Sequence, residues 1–184
     1  MRITLLLILL LFNCKTMNAQ TTDPWVEYLT PSGVHSLMEQ YAGNFRMEIT
    51  MSMGEGKEPK IVTVKSKNNM LLGGRFLEME QKGEMMGMDY QSIITMGFNN
   101  TNKKFALTTI TNMGTGILSL VGDWDQKSKT ANLIGELVNP VSKQAIHVRQ
   151  TVAFIDKNII LIESFDREGD RPETKTVQYK LVRE

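Results

Sequence analysis

Methionine is the residue type whose spacing most invites a chemical reading. Met51-x-Met53 and Met85-Met86-x-Met88 set thioethers at the short intervals suited to a soft ion such as Cu(I). The competing reading is packing. Met47, Met51 and Met53 alternate with polar residues and share a face with Ile49, as core or pocket lining requires. We read them as lining and expect no metal and no cofactor. Zinc chemistry lacks its ligands, because the chain has two distant histidines, His35 and His147, and one cysteine, Cys14. His147 alternates with Ile146 and Val148, so it is expected in solvent, and His35 lies off the apolar face of its helix. An inward haem ligand is therefore not expected. Acid–base chemistry would fall to Glu163, which shares strand parity with Ile159, Leu161 and Phe165; the alternative is an end-of-strand carboxylate in water. Glu78 and Glu80 alternate with Leu77 and Met79 and are expected to face out. There is no Gly-x-Ser-x-Gly, phosphate loop or dinucleotide fingerprint. The reading is of a protein that is not an enzyme.

The elements that must position these residues are strands. A 184-residue chain with 41% apolar residues can bury a core, which excludes a disordered polymer, and a single cysteine excludes a disulfide scaffold. A net charge of +1 gives no steering toward nucleic acid. Residues 1–20 read as a signal peptide, with Arg2 before the apolar run Ile3 to Phe12, too short to span a bilayer. Cleavage after Ala19 or Gln20 removes Arg2 and Lys15 and takes the net charge to −1. The product is secreted or periplasmic. The alternative is a lipid anchor at Cys14, because Leu11-Phe12-Asn13-Cys14 loosely resembles a lipobox, and that anchor is the one membrane contact expected.

Residues 21–30 form a polar leader. In residues 31–184, a single domain, Val34, Leu37, Met38 and Tyr41 mark one face of a short helix with Thr30 as N-cap, Pro31 at its first position and Gly43 after its end. The period then drops to two. Strands are expected at Met47 to Met53, Ile61 to Lys67 (broken by Asn68-Asn69), Arg75 to Lys82, Met88 to Phe98 and Phe105 to Thr109. Others follow at Ile117 to Trp124, around Leu133 and Leu137, at Ile146 to Phe154, at Ile159 to Phe165 and at Val177 to Leu181. About ten strands joined by short turns, with no helix between them, predict an all-β, up-and-down antiparallel barrel with the helix capping one end; the rival is a two-layer sandwich.

Gly43-Asn44-Phe45, straight after the helix, resembles the Gly-x-Trp that opens the first strand of lipocalins and fatty-acid-binding proteins, with Phe45 in place of Trp. That resemblance implies barrel closure by Phe45 and a basic partner near the last strand's end, Arg183. A longer series is more specific. Leu71-Leu72-Gly73-Gly74-Arg75-Phe76-Leu77, Lys82-Gly83-Glu84-Met85-Met86-Gly87, Gly97-Phe98-Asn99-Asn100 with Lys103-Lys104-Phe105, and Asn112-Met113-Gly114-Thr115-Gly116 come in the order of one bacterial family. From about Ser32 onward the chain resembles domain of unknown function 1579. The resemblance implies a secreted or periplasmic lipocalin-like barrel and no established activity, so it transfers no site residues. Phe98 and Thr109 stand where that family often has Tyr and Trp.

By parity the lumen is lined by Met51, Met88, Tyr90, Met96, Phe105, Gln150 and Phe154, with Ser92 and Gln150 as polar exceptions. Flexible thioethers and rings with isolated polar groups suit a small apolar or lipid-like ligand. The alternatives are an envelope structural or interaction protein with a filled barrel, and a cryptic hydrolase or isomerase using Tyr90, Gln150 or Glu163.

Overall fold

The computed structural model describes residues 23–184. Residues 1–20, read above as a signal peptide, and Cys14 lie outside the described residues. The leader is not wholly irregular: Asp23 caps a one-turn helix, α1 (Pro24–Leu29), its carboxylate accepting from the Trp25 N–H at 2.9 Å with proline at the first position. The second helix, α2 (Gly33–Glu39), starts two residues later than its sequence signals. Its N-cap is Ser32, not Thr30, because His35 takes the part usually played by Glu: its Nδ1 accepts the Ser32 backbone N–H at 2.9 Å.

Ten strands follow: β1 (Gly43–Met51), β2 (Lys60–Leu71), β3 (Phe76–Met85), β4 (Met88–Asn99) and β5 (Lys104–Thr111), then β6 (Leu118–Asp125), β7 (Thr130–Val138), β8 (Ala145–Asp156), β9 (Ile159–Glu168) and β10 (Thr174–Arg183). Each pairs antiparallel with its sequence neighbour, and β1 pairs with β10, closing the barrel with Phe45 opposite Arg183 and Met51 opposite Val177. Closure satisfies both edges of every strand, which an open ten-stranded sheet cannot do. Among the described residues no helix is long and apolar enough to cross a membrane.

Three strand ends differ from the alternation. β1 stops at Met51, so Met53 lies in the following loop, largely exposed. β2 runs through Asn68-Asn69 to Leu71, because Asn68 points inward and its polar atoms find partners there. β6 begins at Leu118, leaving Ile117 exposed in the loop. The β3–β4 turn is a two-residue one, with Met86 and Gly87 both at positive φ (55° and 77°), the geometry that matches strand twist.

One end of the barrel is a packed floor. Tyr41, Phe98, Phe105, Trp124 and Phe154 form a chain of ring contacts with centroids 4.9 to 6.2 Å apart. Above them Met47, Leu77, Met79, Met96, Leu107, Leu120, Leu133 and Val152 are fully buried. The helices are tied to this end by side chains that serve orphan carbonyls. Arg183 donates to the carbonyls of Gln40, Ala42 and Lys157 while its guanidinium lies 4.6 Å from the Phe45 ring centroid. Tyr41 donates to the Asp156 carbonyl at 2.6 Å, Arg75 to Leu29 at 2.6 Å and Asn100 to Glu27 and Thr30 at 3.0 and 2.7 Å. Gly43 keeps φ at +124° beneath Arg183, and a Cβ there would meet the guanidinium at 3.0 Å.

Candidate functional site: the lumen

The other end, the mouth, carries the loops that follow β1, β3, β5, β7 and β9. Inward side chains near it are only partly buried: Met51, Val62, Leu118, Leu137, Ile146, Val177 and Tyr179. Tyr179 is inward, opposite Ile49 and Ile162, and is only partly buried.

The expected lining residues separate accordingly. Met96, Phe105 and Phe154 point inward but belong to the packed floor, at most 2% exposed. Tyr90, Ser92 and Gln150 are inward and buried, and Met51 is inward at the mouth. Met88 is a correction. It has inward parity with Tyr90, but it is the first residue after the β3–β4 turn, beyond the barrel's end, and is 52% exposed. His35 is a second correction. It is buried rather than wet, with its ring edge-on to Phe98. Burial, helped by the Arg75 charge, holds its pKa below the ordinary value against a hydrogen bond to the Phe98 backbone. His147 lies outside, 2.8 Å from Glu136. Glu163 lies outside too, paired with Lys175 at 2.5 Å, because the inward face of β9 is Ile160, Ile162, Ser164 and Asp166. Among the described residues no three His, Cys, Asp or Glu are grouped to hold a metal.

What alternation alone missed is a polar chain down the wall. Tyr90 Oη donates to Ser92 Oγ (2.9 Å), and Ser92 Oγ donates to Gln81 Oε1 (2.6 Å). Gln81 Nε2 donates to Ser66 Oγ (3.2 Å), Ser66 Oγ to Asn68 Oδ1 (2.8 Å) and Asn68 Nδ2 to the Tyr41 carbonyl (3.1 Å). The direction is forced from the floor. A carbonyl only accepts, so Asn68 must present its NH2 to Tyr41 and its oxygen to Ser66. Ser66 must then donate downward and accept from Gln81, and the same logic passes through Ser92 to Tyr90. Every proton in the chain points to the floor, and Tyr90 offers the lumen the lone pairs of its oxygen. Burial raises the Tyr90 pKa despite the bond to Ser92.

A second chain stands on the β8–β9 wall. Gln150 Nε2 lies 3.4 Å from Ser164 Oγ, which lies 3.5 Å from Asp166 Oδ1. Burial raises the Asp166 pKa, and the hydroxyls of Thr176 and Ser164 work against that rise. The Tyr179 phenol, on the neighbouring strand, takes part in neither chain; burial raises its pKa first, and the nearby Tyr90 and Asp166 add to the effect. Tyr90 on β4 and Asp166 on β9 stand on different walls of the barrel, and both act on Tyr179 through their charge. Only their alternation was visible in sequence; the partners are brought together by register, Gln150 opposite Ser164 and Ser92 opposite Gln81.

A cavity of about 600 Å³ lies outside this space, between Tyr28 to Pro31 and the barrel surface at Phe76, Gly97 and Val121. Its cations are already engaged, Arg75 on the Leu29, Leu72 and Gly73 carbonyls and Lys104 on Asp123, whereas the buried Oδ1 of Asn100, another lining residue, has no partner.

The molecule is thus a closed ten-stranded antiparallel barrel with a helical floor and hydrogen-bonded polar chains among its inward side chains. The chain belongs to the family described as protein of unknown function (DUF1579), whose model matches residues 30–183. No curated protein matches it.

Proposed function

We propose that this protein is a secreted or periplasmic small-molecule-binding barrel that holds a mainly apolar ligand with one polar end in the mouth half of its lumen. The carrying observation is the partly buried inward phenol of Tyr179, which is bonded to neither of the polar chains that end at Tyr90 and Asp166. An apolar ring of Met51, Val62, Leu118, Leu137, Ile146 and Val177 around convergent polar groups is the composition of ligand pockets. The outer cavity is the weaker candidate, because its cations are already paired to carbonyls and Asp123. The reading assigns no catalytic residue. Glu163, the carboxylate named for a hydrolase from the sequence, lies outside on Lys175. Export through residues 1–20, with or without an anchor at Cys14, belongs to the same proposal.

The second reading is a filled barrel acting through its surface, favoured by the fully packed floor half. Native mass spectrometry of the exported protein, with thermal melting against a panel of amphiphiles, separates the two. Binding predicts a retained or added small molecule and a raised Tm that Val177→Trp, which fills the lumen, removes. No added mass and no change in Tm across the panel supports the filled barrel. The same spectrum gives the mature N-terminus and any acyl chain on Cys14.

A further inference from the structure

The polar inner surface is one-sided. In the first chain every donor points to the floor, so its lumen end is the Tyr90 oxygen, an acceptor. In the second chain Gln150 donates to Ser164 and Ser164 to Asp166, so its lumen end is a carboxylate, with the Gln150 carbonyl oxygen bound by neither contact. A carboxylate has about four acceptor sites, and its partners here use few of them. Among the described strands, the one Lys or Arg at an inward position above the floor is Lys60, opposite Met51 at the rim, where it is exposed at the very start of β2. Arg183 lies beneath, on Phe45 and the helix carbonyls. The other inward acid, Glu168, is held at the rim by Asn139 and Ser142. The unengaged donor near these acceptors is the Tyr179 hydroxyl, on an aromatic ring whose face can also receive a cation.

Resting on the lumen reading, we propose that the polar end of the ligand is an ammonium, an amine carried on an apolar chain or ring, seated among Asp166, Tyr179, Tyr90 and Gln150. An ammonium brings three donors and no acceptor, the complement of this surface. A carboxylate brings acceptors only and would face Asp166 with no cation to hold it. This sets the barrel apart from a fatty-acid carrier, despite its apolar ring of Met51, Leu118 and Leu137.

The test is calorimetric titration of the mature protein with decylamine, decanol and decanoate, chain-matched and below their micelle concentrations, at neutral pH. Decylamine is expected to bind at least about tenfold more tightly than decanoate, as one charge-assisted hydrogen bond allows. Asp166→Asn, nearly isosteric, is expected to reduce that preference to about threefold or less. Decanoate binding as well as decylamine overturns the inference and leaves the lumen reading standing. A preference that survives Asp166→Asn overturns it too, by putting the amine elsewhere. If none of the three binds, both the inference and the lumen reading fall.

Discussion

The side-chain amide of Asn68 donates to the main-chain carbonyl of Tyr41 at 3.1 Å, and that single contact orients four further hydrogen bonds up to Tyr90. The first prediction tests it. Asn68→Asp keeps the shape but sets an acceptor against an acceptor in a buried place. It is expected to destabilise the fold at neutral pH by more than about 1–3 kcal/mol, the cost of an unsatisfied buried group. The loss should shrink as pH falls, because a protonated acid can donate to Tyr41. Urea unfolding at neutral and acid pH checks both parts; equal loss at both would mean that the carbonyl does not set the direction.

Gly122 is inward on β6, and a Cβ there would stand 1.8 Å from the Asn132 carbonyl oxygen. The clash is with backbone, which cannot rotate aside. Gly122→Ala is expected to cost about 1–3 kcal/mol or more by overpacking, equivalent to a fall in Tm of about 2–4 °C per kcal/mol for a chain of this size. A melt unchanged within error would contradict the close approach of β6 to β7. Gly114, with open space around it, is the control.

His35 makes the cap pH-dependent. Its folded-state pKa is lowered by burial, and its Nδ1 serves Ser32 only when unprotonated. A lowered base contributes stability above its unfolded value, near 6.5, and loses it as pH falls through the folded one. Protection of the amides across residues 24–40, corrected for the intrinsic pH dependence of exchange, should therefore fall below about pH 6.5, ahead of protection in the strands. His35→Gln should flatten that dependence. Strands and helices loosening together would argue against a separable cap.

Asp166 has the opposite sign of shift. Burial raises its pKa, so the folded state prefers the protonated acid, and the corresponding stability is present below the unfolded value of 3.8 and lost as pH rises through the folded one. Asp166→Asn is thus expected to melt higher than the parent at neutral pH, with the gain vanishing below pH 3.8. A lower Tm at neutral pH would mean that the charged carboxylate is held by its neighbours rather than tolerated by them.

Alternation carried most of the architecture. Phe45, Met47 and Ile49, or Val148, Gln150 and Val152, declare their common face without coordinates, because the side-chain period of a strand is fixed at two by covalent geometry. Turn residues between such runs, and the absence of helical period after Gly43, were enough for an antiparallel meander with a capped end. Alternation also gave the inward direction of Tyr90, Ser92, Met96, Phe105 and Phe154.

Position along the tube is another matter. Met88 and Met96 have the same parity, yet one stands in solvent beyond the rim and the other is fully buried above the floor, since depth depends on where each strand ends. The polar residues were the least legible. Ser66, Asn68 and Gln81 read as breaks and mixed faces in one dimension, because a buried polar group is tolerable only with its partner, and these partners lie on other strands. His35 is the same case: a capping bond to Ser32 and a ring contact with Phe98 turn an off-face histidine into a buried one. Periodicity along one strand is a local property written in the sequence. Register between strands, which joins Gln150 to Ser164 and Gln81 to Ser92, is settled only when the barrel closes and all ten ladders must fit at once.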